Sequence, residues 1–130
     1  MPLPRVLIID DEPSIRFALR RWFERQGWSA DEATDGAKAL EFLRSPAAAF
    51  NGDYAVIVCD LRMPGMSGSQ FHAVLTDEYP ALIEKLVVTT GDDVASPPIG
   101  SVLGTHRRVL QKPFEFDVLR SLVESIVGPM

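Results

Sequence analysis

The 130-residue sequence predicts an α/β domain built on an open, doubly wound parallel sheet. Three observations predict it. Apolar runs of strand length recur at Arg5–Ile9, Tyr54–Cys59, Leu86–Thr90 and Val109–Gln111, and they are continuous rather than alternating, as strands buried on both faces require. Segments with apolar residues at helical spacing lie between them. Each run stops abruptly at polar or charged residues: Asp10-Asp11-Glu12, Asp60, Gly91-Asp92-Asp93 and Lys112-Pro113.

The elements follow in order. Arg5–Ile9 is β-branched and reads as the first strand. Pro13 suits a first helical position, where its missing N–H costs nothing. Ile15, Leu19, Trp22 and Phe23 then follow at helical spacing, with Arg16, Arg20, Glu24 and Arg25 on the other face and Gly27 as the stop. The run near Trp28–Ala33 is more polar and predicts an edge strand. Asp35 is placed to cap a helix over Ala37–Arg44, with Leu40 and Leu43 inward. After the third strand, Ser67 is placed to cap Gly68–Tyr79, with Phe71, Val74 and Leu75 inward and Pro80 as the stop. Ser96–Gly104 is the poorest helix, broken by Pro97, Pro98 and Gly100. Glu115–Val127 carries Phe116, Leu119, Leu122, Val123 and Ile126 at the helical period. Five βα units with right-handed crossovers give a flavodoxin-like sheet whose natural strand order is 2-1-3-4-5.

Composition bounds the function. A chain of this length buries roughly two-thirds of its unfolded surface, so it needs no disulfide or structural metal to hold a core. Cys59 is the only cysteine, which excludes an intrachain disulfide and fits a reducing compartment. Thirteen basic residues against eighteen acidic give a net charge of −5, which speaks against a dedicated nucleic-acid binder. No run approaches the roughly 20 apolar residues of a membrane span, and the first residues lack a signal-peptide pattern. The expectation is one cytoplasmic domain over residues 1–130, with its core at about 5–127, no output domain, and no direct contact with nucleic acid or membrane.

Parallel strands put their carboxyl ends on one edge. Asp10, Asp11, Asp60, Thr90 and Lys112 therefore meet at one rim. Three crowded carboxylates repel, and a hard divalent cation compensates them best. Lys112 can pair with a carboxylate or a phosphoryl group, and Thr90 can donate to a phosphoryl oxygen. The set suits phosphoryl transfer, in which the protein positions groups and balances charge.

These residues carry a family likeness. Asp10-Asp11-Glu12, Asp60-Leu61-Arg62-Met63-Pro64-Gly65, Thr90-Gly91 and Lys112-Pro113-Phe114 resemble the signature of the receiver domain of two-component response regulators, from about Val6 to Val127. The resemblance implies that Asp60 accepts a phosphoryl group from a phosphohistidine of a sensor histidine kinase or histidine phosphotransfer protein. It implies Mg²⁺, with Mn²⁺ as an alternative, held by Asp11, by Asp10 mainly through water, by Asp60 and by the Arg62 backbone carbonyl. Thr90 would bond the phosphoryl group and Lys112 would pair with it. The Lys112–Pro113 bond is commonly cis in this family.

The sequence departs from the pattern at Val109, where the family usually carries an aromatic switch residue. Arg62 and Asp92 stand at the two positions that, by the resemblance, tune phosphoryl lifetime in the family, and as opposite charges they can pair over the site. Ile15, Arg16 and Phe114 are the expected docking residues for the phosphodonor, and a homodimer through the 96–127 half is a further expectation. Two other readings compete. Phosphatases of the haloacid dehalogenase class also use a strand-end aspartate, but they need an acid two residues later, where this chain has Arg62. A receiver reduced to protein interaction would be expected to lack some of the five key residues, and all are present. Cys59, His72, His106, Trp22 and Trp28 read as packing or surface residues.

Overall fold

The strands β1 (Arg5–Ile9), β2 (Ser29–Ala33), β3 (Val56–Asp60), β4 (Leu86–Thr90) and β5 (Val109–Gln111) form one parallel sheet in the order β2-β1-β3-β4-β5. The computed structural model describes residues 3–44, 54–63, 65–91 and 106–130. The helices among these are α1 (Pro13–Arg25), α2 (Gly36–Arg44), α3 (Gly68–Glu78), α4 (Pro80–Ile83) and α5 (Phe116–Val127). The strand order is the predicted one, and the crossover from β2 past β1 to β3 makes the rim beyond β1 and β3 the natural ligand crevice.

Register sets that rim. Ile9 pairs with Cys59, so β3 runs one residue further and brings Asp60 level with Asp10. On its other side Asp60 pairs with Thr89, and Thr90 pairs with Gln111, which places Lys112 just past the end of β5. Three strand boundaries match the sequence reading residue for residue. The third strand is shifted: the ladder begins at Val56 and includes Asp60, where the apolar run suggested residues 54–59. Tyr54 is buried ahead of the ladder in the same core as Leu7 and Ile57, with its hydroxyl satisfied by donation to Asp31 Oδ2 at 2.7 Å, so burial and strand pairing begin at different residues.

The helix ends have identifiable causes. Pro13 opens α1, and Gly27 takes φ +88° just past its end. Asp35 Oδ1 accepts the Lys38 N–H at 2.9 Å and caps α2. Ser67 and Gln70 form a reciprocal capping box on α3, with the Gln70 N–H donating to Ser67 Oγ at 3.2 Å and the Ser67 N–H donating to Gln70 Oε1 at 2.9 Å. Pro80 ends α3 as expected but also opens α4, a four-residue helix the pattern did not suggest. Proline can do both, since it cannot continue one helix yet fits the first turn of the next. The segment expected to form the poorest helix, 96–104, lies outside the described residues.

Two cores flank the sheet. Strand residues Leu7, Ile9, Ile57, Cys59, Leu86 and Val88 face α2 and α3, around Phe71 and Leu75. Val6, Ile8, Val56, Val58, Val87 and Leu110 face α1 and α5, around Phe23, Leu19, Leu119 and Val123. The alternation is that of a strand with two covered faces. Phe23 and Phe71 are fully buried, each contributing roughly 1.5–3 kcal/mol of transfer free energy. No described helix is long and apolar enough to cross a membrane.

Candidate functional site

Asp10 is the first residue past β1, 1% exposed, and its N–H donates to the Ala33 carbonyl at 3.1 Å. Both carboxylate oxygens are engaged: Oδ1 accepts the Glu12 N–H at 2.9 Å, and Oδ2 accepts from Lys112 Nζ at 2.8 Å. Asp60 ends β3 and is 5% exposed, with Oδ2 3.3 Å from the same ammonium and Oδ1 receiving a long 3.4 Å bond from the Arg62 N–H. Asp11 is exposed beside them. One oxygen from each of Asp10, Asp11 and Asp60 lies within 4.8 Å of the others.

The charges at this rim do not balance. Burial, and then the Asp10 charge, push the Asp60 carboxyl above its ordinary value, and Lys112 with the Arg62 N–H offsets this only in part. Burial alone would lower the Lys112 ammonium, but the bond and charge of Asp10, followed by those of Asp60, outweigh it and raise it. One ammonium thus serves two buried aspartates, while a third carboxylate stands open to solvent. Clustered oxygen donors with surplus negative charge fit a hard divalent cation, with solvent access left at Asp11.

Thr90 is fully buried at the end of β4, and its carbonyl accepts the Lys112 N–H at 2.6 Å. Strand alternation puts Thr89 on the opposite face, in phase with Val87. The Lys112–Pro113 peptide is cis. Arg62 is exposed two residues past Asp60, while Asp92 lies outside the described residues, so the Arg62–Asp92 pairing does too. Val109 is partly buried against the core under α2 and α3. Cys59 is buried, and burial, then the charges of Asp60 and Asp10, push its thiol far up, as fits an inert packing residue.

The expected docking residues are less open than the sequence suggests. Ile15 and Phe114 are half-buried against the core under α1 and α5. Arg16 turns inward with its side chain 15% exposed: Nη1 donates to the Asp10 carbonyl at 2.7 Å and Nε to Glu32 Oε1 at 3.2 Å. The signal for this was Glu32, an acid within a sheet strand beside a helix rich in arginine. Gly68 was also missed. A Cβ there would lie 2.1 Å from the Asp60 carbonyl oxygen and 2.6 Å from Leu61 Cα, so only glycine lets α3 start against the backbone that carries Asp60.

A parallel sheet of this order, with paired aspartates past β1, an aspartate ending β3 and a lysine past β5, defines a class. The chain belongs to the response regulator receiver domain family, whose model matches residues 6–124. Among curated relatives it is 32% identical over 123 residues to the transcriptional activator protein IrlR of Burkholderia pseudomallei, covering 95% of this chain and 50% of that protein. It is 30% identical over 110 residues to the transcriptional regulatory protein ResD of Bacillus subtilis, covering 85% and 42%. It is 29% identical over 123 residues to the DNA-binding transcriptional regulator NtrC of Escherichia coli, covering 95% and 24%. The chain thus spans half or less of the length of these relatives. Among solved structures, the response regulator TrrA from Thermotoga maritima, in complex with Mg²⁺-BeF, is 26% identical with a TM-score of 0.74, covering 95% of this chain and 99% of that one. A receiver protein from Pseudomonas putida is 27% identical with a TM-score of 0.76, covering 96% and 98%.

Proposed function

We propose that this domain takes a phosphoryl group onto Asp60 from the phosphohistidine of a sensor kinase or phosphotransfer protein, and so switches or relays a two-component signal. The observation that carries the reading is the Asp60 carboxylate, set at the end of β3 within 3.3 Å of Lys112 Nζ and grouped with Asp10 and Asp11. An Asp60 oxygen attacks phosphorus, the P–N bond of the donor breaks, and the imidazole leaves with the bonding pair and takes up a proton. Asp10, Asp11 and Asp60 would hold Mg²⁺ or Mn²⁺, with the Arg62 carbonyl as a further oxygen. When bound, the ion supplies positive charge against the phosphoryl oxygens.

The remaining tasks fall to this chain's own groups. Lys112 pairs with the aspartates at rest and can turn one N–H to the phosphoryl group as it arrives. Thr90 stands at the adjacent strand end to donate its hydroxyl. Ile15 and Phe114 border the rim on the α1 side and form the apolar part of the donor's docking surface. The relatives' names include DNA-binding regulators; the net charge of −5 supports a reading in which this domain itself does not touch nucleic acid. The test is intact-mass analysis after incubation with Mg²⁺ and phosphoramidate. One phosphoryl adduct on the parent, absent in Asp60→Asn, is expected. No adduct on the parent, or an undiminished adduct on Asp60→Asn, would overturn the reading.

A further inference from the structure

We infer that Arg16 is a positioning residue for the acidic turn: it holds the Asp10–Asp11 peptide so that the Asp11 carboxylate faces the other two. The inference rests on the phosphoacceptor reading of the rim. Arg16 lies in the first turn of α1, and its guanidinium spans two elements. Nη1 donates to the Asp10 carbonyl at 2.7 Å, while Nε donates to Glu32 Oε1 on β2 at 3.2 Å. Glu32 also forms an ion pair with Arg20, whose Nε lies 2.9 Å from its other oxygen without hydrogen-bond geometry and whose Nη2 donates to the Ala30 carbonyl at 3.0 Å. The fork is therefore anchored on the sheet before it reaches the turn.

The Asp10 carbonyl belongs to the peptide that leads into Asp11, so fixing it fixes the plane from which Asp11 departs. The Asp10 side chain needs no such help, since Glu12 and Lys112 already hold both its oxygens. Asp11 is different. It is exposed, and no described residue hydrogen-bonds its carboxylate, so the backbone alone decides where its Cα–Cβ bond points and which of its rotamers reach the other two carboxylates. A planar guanidinium can serve Glu32 and the carbonyl together, which a lysine ammonium does less well. Pairing with Glu32 also neutralises the charge Arg16 carries, so its effect on the rim is geometric.

The test compares Arg16→Met, Arg16→Lys and Glu32→Gln with the parent, by calorimetric Mg²⁺ titration and by the Asp11 and Glu12 amide signals of the metal-free proteins. Loss of an outer group that orients a ligand typically weakens a metal site about tenfold or more; that is expected for Arg16→Met, whereas Glu32→Gln keeps an amide oxygen that can accept from Arg16 Nε, leaves the fork anchored, and should stay within about twofold of the parent. The Asp11 amide should move in Arg16→Met and hold still in Glu32→Gln. Should the methionine variant not fold, Arg16→Lys carries the test, with binding weaker than in Glu32→Gln. Unchanged Mg²⁺ affinity in the Arg16 variants, or equal weakening in Glu32→Gln, would overturn the inference. If the parent binds no Mg²⁺, the reading of the rim fails, and the amide signals decide the positioning separately: a moved Asp11 amide sustains it and an unmoved one ends it.

Discussion

At Gly68 the chain has room for a hydrogen and nothing more. A methyl group there would press on the Asp60 carbonyl and the Leu61 Cα, both of them backbone, so neither can swing aside as a side chain would. Gly68→Ala is expected to cost about 2 kcal/mol through overpacking. Because the displaced backbone carries Asp60, labelling by phosphoramidate should slow as well. Urea denaturation and the labelling rate check the two effects, and a variant as stable and as fast as the parent would show that α3 can shift freely. Asp10, Asp11, Asp60, Thr90 and Lys112 could be picked out in the sequence because each follows or ends an apolar run of strand length. Gly68 could not, and Arg16 stood out only as a docking residue, not as a partner of the Asp10 carbonyl. Their roles arise where α3 and α1 approach the rim in space, and no local pattern encodes that approach.

Element boundaries were legible to differing degrees for physical reasons. Runs such as Leu86–Thr90 are buried and paired over the same residues, so apolar content marks the strand. Around Tyr54 the two properties separate, so the apolar run starts two residues ahead of the ladder and ends one residue short of it. Pro80 stops one helix and starts another, and only its stopping role was visible. The contact between α3 and the approach to β5 gives a pH prediction. The rings of His72 and His106 meet edge-to-face at 5.3 Å, His72 Nε2 is buried without a hydrogen-bond partner, and His106 Nε2 bonds the Leu86 carbonyl at 2.6 Å. Burial, then the neighbouring ring, lowers His72 below its ordinary value of 6.5. For His106, burial and the charges of Arg108 and Arg107 outweigh the Leu86 bond and Glu84, and it too is lowered. The folded state therefore refuses protons that the unfolded chain accepts. This contribution to stability is present above pH 6.5 and is lost as pH falls from there toward the lowered values. Chemical denaturation at pH 7.5 and 5.5 should show a larger loss in the parent than in a His72→Gln/His106→Gln double variant; equal losses would remove the pair as the cause. Asp60, whose carboxyl is raised, contributes in the opposite direction at acid pH, but it is common to both proteins.

Across the whole molecule, the bond between Lys112 and Asp10 joins residues 102 positions apart and ties the last strand to the first. The Asp10 side chain is 2% exposed and that of Lys112 17%, so the pair is largely but not fully dry. Lys112→Met leaves Asp10 buried beside Asp60 with no cation bonded to its carboxylate among the described residues; a cost of about 2 kcal/mol is expected, below that of a fully buried pair. Mg²⁺ should narrow the gap, because the variant has more uncompensated charge for the ion to meet. Urea midpoints with and without Mg²⁺ check this, and an identical gap in both would mean that the ion does not enter beside Asp10.

The division of the interior into two cores has a consequence for what evolution can alter. Along β3, Val56 and Val58 turn toward α1 and α5, while Ile57 and Cys59 turn toward α2 and α3. Side chains within either layer can be exchanged for others of similar volume. The count of residues cannot change, since deleting one between Val56 and Cys59 would reverse the side of every later residue in the strand and swing Asp60 half a pleat away from Asp10. The strand thus works as a ruler as well as a wall, and its length is fixed by the position of the one side chain at its tip.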